Sequence, residues 1–286
     1  MEATPRGEGR CGVTRRRSRG RTIVAVLAAL LLAAVVSSSL EASLPPRGGD
    51  PRAAGMGEAY TALARGALAP LWNPAGIITS AAGVQGALAT GFLSGGEGYV
   101  LLGAAIVAQG GPAVAWGMVD GDGGRSILGT LAFSPLPATF VGGSLVYVSD
   151  ADPAGLAISV GWRSEGEGWA LGVCALDVGA GLFGSDRPPQ LLLGVALRTV
   201  PAVMLEIDLH VAATGTEIAL GGVADLQHLA ARWGTCLGID GGLKYVGLGA
   251  SLPLFGQQLD AAVLLLGSDL ELSLMLGLEA RFAAWW

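Results

Sequence analysis

Three side chains with acid–base and ligand chemistry stand two apart in one run. Val203-Met204-Leu205-Glu206-Ile207-Asp208-Leu209-His210-Val211 puts Glu206, Asp208 and His210 on one face of a strand and apolar residues on the other. A carboxylate pair beside an imidazole can move protons or hold a metal, but both need further partners at defined spacing. The second histidine, His228, falls in a different predicted strand, and no ligand spacing for a metal is visible around either. No nucleophile motif accompanies His210, so an esterase-like site is unsupported. Gly55-x-Gly57 has neither a preceding strand nor a third glycine, which excludes a dinucleotide fingerprint. No enzyme, metal or cofactor is implied, and the trio reads as polar lining of a lumen.

Composition supports a lumen. Of the 286 residues, 51% are hydrophobic and 14% charged, too apolar for an ordinary soluble domain, and 47 are glycine. The hydrophobicity is dispersed in short bursts broken by Gly, Pro, Asp and Ser, except for one run near the N-terminus. There, seven arginines within the first 21 positions precede Thr22–Val36 and a small-residue exit. A basic region, an apolar stretch and small residues predict a secretory signal peptide over residues 1–42. The remainder carries 10 basic and 20 acidic residues, a balance that argues against nucleic-acid binding. Cys11 leaves with the signal peptide. Cys174 and Cys236 fall in predicted strands four apart, too distant for a disulfide, and read as buried thiols in a wall.

Thirteen clusters of turn residues divide residues 83–282 into fourteen strands. They include Gly121-Asp122-Gly123-Gly124, Pro135-Leu136-Pro137, Glu165-Gly166-Glu167-Gly168 and Asp240-Gly241-Gly242. In the last strand Leu270, Leu272, Leu274, Leu276 and Leu278 alternate with Glu271, Ser273, Met275, Gly277 and Glu279. Period-two alternation with an all-leucine face predicts an all-β, transmembrane antiparallel β-barrel over residues 81–286, in contact with outer-membrane lipids. Phe282 closes the last strand, followed by Trp285 and Trp286, rings that suit a membrane interface. An even strand count puts both termini on the periplasmic side and the odd-numbered turns outside. Those turns are short, the longest being Phe183–Pro189.

The interior such a barrel encloses is wider than inward Ala87, Ala89, Gly103 and Ala105 can fill. Residues 43–80 are the predicted plug. Within them Ala59–Leu68 is rich in helix formers, and Pro74 is expected to end the helix. Arg52-Ala53-x-Gly55-Met56-Gly57 leads through this stretch to Trp72-Asn73-Pro74-Ala75-Gly76. The segment resembles the N-terminal hatch of the FadL-type superfamily of outer-membrane barrels, including its PorV/PorQ-like branch. Arg65-Gly66 departs from the acidic pair common there.

The resemblance implies a fourteen-stranded barrel in the bacterial outer membrane with a short helical hatch in its lumen. It implies a gating role for Trp72, Asn73, Pro74, Ala75 and Gly76, with Arg52, Gly55, Met56 and Gly57 packing the hatch against the wall. Two functions follow from it. One is passive uptake of small hydrophobic ligands such as fatty acids. The other is a PorV-like scaffold or shuttle that engages a secretion-system protein partner. Asn73 is expected to bond backbone of the lumen wall.

Overall fold

The computed structural model describes residues 49–283 except 79–81, 94–97, 109–110, 122–123, 150–153, 181–187 and 267–270. The predicted signal peptide and the turn at Phe183–Pro189 therefore lie outside the described residues, the latter but for its last two positions. Fourteen strands run β1 (Gly83–Leu93), β2 (Gly98–Val107), β3 (Ala113–Gly121), β4 (Gly124–Leu136), β5 (Thr139–Val148), β6 (Gly155–Gly166) and β7 (Trp169–Val178). They continue through β8 (Gln190–Val200), β9 (Val203–Ala212), β10 (Gly215–Leu226), β11 (Leu229–Gly238), β12 (Leu243–Leu254), β13 (Gln257–Leu266) and β14 (Glu271–Ala283). Each pairs antiparallel with its neighbours in sequence, and β1 pairs with β14 from Gly83↔Ala283 to Leu93↔Ser273, so no sheet edge is left open.

Alternation assigns the two faces. In β9, Glu206, Asp208 and His210 are buried towards the lumen while Leu205 and Ile207 face out. Ile106, Leu131, Ile207 and Leu248 are all more than half exposed on the outer surface. In hydrocarbon such a belt is solvated, and closure satisfies every backbone ladder without water. The outward ion pair Asp120–Arg125 sits at the last rung but one before a turn. No helix among the described residues is long and apolar enough to cross a membrane; strands of 9 to 13 residues span it.

At the end where the chain enters β1 and leaves β14, several strands run one or two residues past the predicted breaks. All but the first of the turns there, the one between β2 and β3, are two residues long, as at Pro137-Ala138, Glu167-Gly168 and Phe255-Gly256. Phe255 and Gly256 both have positive φ, the geometry of a tight hairpin. Pro135 lies inside β4, where pairing with β5 is irregular between Phe133 and Leu136, so its missing N–H interrupts no regular ladder.

Residues 49–78 lie inside the barrel against its wall. The helix expected over Ala59–Leu68 is absent; helix α1 spans Pro51–Gly55 instead, and 3-10 turns follow at Ala69–Leu71 and Pro74–Ile77. The side chain of Asp50 caps α1 through the Arg52 amide, 2.9 Å away. Pro74 opens a turn rather than ending a helix, with Asn73 as its cap. Helix propensity at 59–68 loses because amides there bond carboxylates of the wall.

The segment sweeps round the bore in order, Pro51 against β14, Ala54 against β12, Met56 against β11 and β10, and Thr61 against β7 and β8. Each contact is backbone or a small side chain on a wall glycine. A Cβ on Gly247 would stand 1.9 Å from the Ala54 carbonyl oxygen, and one on Gly234 2.0 Å from that of Met56. Glycine is required because the two backbones touch. Gly234→Val is predicted to lift the plug and cost about 1–3 kcal/mol by overpacking. Gly129, where an added Cβ would have no atom within 4 Å, should accept Val without effect. Hydrogen exchange of residues 51–62 distinguishes them, accelerating at least roughly tenfold in the first variant alone.

Candidate functional site

The plug is held where its own backbone polar groups would otherwise be buried without partners. Tyr60 and Thr61 donate their amides to the Asp208 carboxylate at 3.0 and 2.8 Å. Ala62 donates to Glu206 at 2.6 Å. Arg163 on β6 donates from Nε to the Ala62 carbonyl at 2.7 Å. Three successive amides thus meet two wall carboxylates that are 1% exposed or less, in place of helical bonds.

Asn73 joins both sides of this seam. Its Oδ1 accepts from the Ala75 amide at 3.1 Å, and its Nδ2 donates to the carbonyls of Thr61 in the plug and Trp162 in β6, both at 3.1 Å. Ala75 and Gly76 complete this turn, buried against the wall. Gly142 and Gly161 make room for it; a Cβ on Gly161 would fall 2.0 Å from Asn73 Oδ1. Trp72 is 1% exposed and packs edge-on to Tyr60, ring centroids 6.4 Å apart.

Arg52 anchors the opposite end. It pairs with Asp50 at 3.1 Å and with Glu279 of β14 at 2.5 Å, while Asp260 of β13 lies 4.0 Å away. Burial works against its charge, but Asp50, Glu279 and Asp260 outweigh it and hold the guanidinium pKa well above its ordinary value. The Tyr60 ring sits 5.9 Å beneath Arg52, and burial pushes its phenol up to about 12. Met56 and Gly57 press on β11; a Cβ on Gly57 would meet the Thr235 amide nitrogen at 2.2 Å. Gly55 packs on Gly249. Arg65 pairs with Glu165, and Gly66 takes a φ of +88° close to the Glu279 carboxylate.

The lining of the lumen changes along the bore. Towards the odd-numbered turns Tyr99, Leu101, Leu192, Leu264 and Met275 are buried in one apolar cluster, and the polar residues Ser126, His210 and Glu217 share that end of the wall. Leu128, Val146, Val148 and Ala157 form a second cluster against plug residue Leu71. Towards the termini the lining is polar, and a recess of about 370 Å³ is bordered by Asp225, His228, Ser251, Gln258, Glu279 and Arg281. Beside the plug, an apolar crevice of about 10 Å³ is lined by Leu68, Pro70, Leu71, Leu102, Met118 and Leu128, with Gly117 between. Leu102 and Met118 are paired and face outward, whereas the next pair, Gly103↔Gly117, presents no side chain inward. The crevice therefore lies beside a glycine pair of the wall.

Strand pairing also assembles a donor set that linear spacing does not reveal. His210 stands directly opposite Glu217 on β10, and Cys236 on β11 lies beside Ala219, the next inward position. One ligand atom from each of His210, Glu217 and Cys236 falls within 4.8 Å of the other two.

No protein-family model matches the chain, and no curated protein matches it. Among solved structures, the toluene transporter TbuX of Ralstonia pickettii superposes with a TM-score of 0.63, over 82% of this chain and 99% of that one, at 11% identity. The chain is an outer-membrane β-barrel. A mutant of the Rh. blastica porin also matches, with a TM-score of 0.46 and 10% identity, over 70% of this chain and 99% of that one.

Asp208→Ala is predicted to leave the amides of Tyr60 and Thr61 unpaired and to destabilise the barrel by about 1–3 kcal/mol per unsatisfied group. Asp208→Asn keeps an acceptor oxygen and should lose less than half as much. Urea unfolding of the refolded barrel, with exchange rates at residues 60–62, measures both.

Proposed function

We propose that this barrel carries out passive uptake of small hydrophobic compounds, fatty acids among them, across the bacterial outer membrane. The observation that carries this reading is the apolar crevice between plug residues Leu68–Leu71 and the outward-facing Leu102 and Met118. It sets apolar plug residues directly beside outward-facing wall residues, so a displacement of the plug there would open a short apolar path between the lumen and the lipid. TbuX, whose fold this chain shares, is a toluene transporter, and that supports the same class of solute. In this reading residues 1–42 are a signal peptide, residues 43–80 the plug and residues 81–286 the barrel. The turn Trp72-Asn73-Pro74-Ala75-Gly76 acts as the gate. Asn73 is its latch, because one side chain ties the turn to both the plug and β6.

The short odd-numbered turns read from the sequence favour a second reading as a PorV-like scaffold for a secretion-system partner, since short outer turns form no capture site of their own. Residues 43–286, refolded into liposomes, separate the readings. Uptake of a long-chain fatty acid and of toluene is expected, with a small sugar excluded. Asn73→Ala should loosen the plug and admit the sugar severalfold faster. Permeability unchanged by Asn73→Ala counts against the gate, and a folded barrel that admits neither class of solute supports the scaffold.

A further inference from the structure

We infer that His210, Glu217 and Cys236 form a metal site on the lumen wall, of the donor class that takes Zn²⁺. The three residues lie on adjacent strands β9, β10 and β11 and project into the lumen at neighbouring inward positions. His210 and Cys236 are fully buried. The Cys236 thiol is 3.7 Å from the Glu217 carboxylate, and all three donor atoms lie within 4.8 Å of one another. Tetrahedral zinc with bonds of roughly 2.0–2.3 Å brings its ligand atoms to roughly 3.3–3.8 Å apart. Side-chain rotation of about 1 Å closes the difference without moving a strand.

The chemistry of the set is selective. A thiolate, an imidazole and a carboxylate together suit zinc and its neighbours in the first transition series, whereas Mg²⁺ and Ca²⁺ require oxygen donors throughout. Three protein ligands leave a fourth position for water or a solute group. Coordination replaces the thiol proton with the metal and releases that proton to solvent.

A carboxylate behind the histidine completes the arrangement. Asp208 lies 3.6 Å from His210 Nε2, close enough for a small side-chain adjustment to make the hydrogen bond. Carboxylates placed in this way fix the tautomer and orientation of a metal-bound imidazole. The same Asp208 accepts the amides of Tyr60 and Thr61, so the site is joined to the plug through one residue. Cys236 is not joined to Cys174, which lies four strands away.

The test is to refold residues 43–286 with Zn²⁺ or Co²⁺ present, remove excess metal by desalting, and confirm folding by heat-dependent gel mobility. One metal per barrel is expected, with a thiolate-to-Co²⁺ charge-transfer band. Cys236→Ser should abolish the band, and Glu217→Gln should weaken binding at least tenfold. Cys174→Ser should leave both stoichiometry and spectrum intact. X-ray absorption at the zinc edge of the unsubstituted barrel reads the same shell without any variant, and sulfur with imidazole is expected. A folded barrel that retains no metal, a band that survives Cys236→Ser, or a zinc shell without sulfur would overturn the assignment.

Discussion

A sheet closed from fourteen strands encloses a bore that small inward side chains cannot fill, and a segment of the same chain occupies it. That filling imposes a strict condition on the wall. Plug and wall meet backbone to backbone, so inward positions such as Gly142, Gly234 and Gly247 have no room for a methyl group. The high glycine content of the chain is thus more than turn chemistry. It marks the track along which the plug is laid.

Close contact excludes water from the seam, and every amide there needs a protein partner. Asp208 and Glu206 take three amides, Arg163 takes the Ala62 carbonyl, and Asn73 bridges the plug to β6. Arg52 fixes the other end against β14 through Glu279. Most of the charged partners serve the seam and the terminus-side recess, while an apolar cluster that includes Tyr99, Leu101, Leu192, Leu264 and Met275 lies towards the other end. This division suits an apolar solute that reaches the plug and leaves sideways.

Strand number, closure and the inward trio of β9 are legible in the sequence because Gly, Pro and Asp clusters punctuate it and side chains alternate with period two. The plug's internal structure is less so. Ala59–Leu68 has helix-forming residues, but helix propensity is worth only tenths of a kcal/mol per residue. Wall carboxylates from Asp208 and Glu206, distant in sequence, claim its amides instead. Alternation identifies these two as lumen lining, and the role that linear spacing hides is to hold Tyr60, Thr61 and Ala62. The proximity of His210, Glu217 and Cys236 depends on register across β9, β10 and β11, which no spacing along one strand encodes. The Asn73 contact with wall backbone is the exception, since a cap residue followed by proline leaves its side-chain amide turned outward from the turn.

The central claim is that the plug seals the bore at rest, and single-channel recording of the intact chain in a planar bilayer tests it most directly. A sealed bore gives no steady ionic current after insertion. A constant open conductance like that of a water-filled pore would contradict the account.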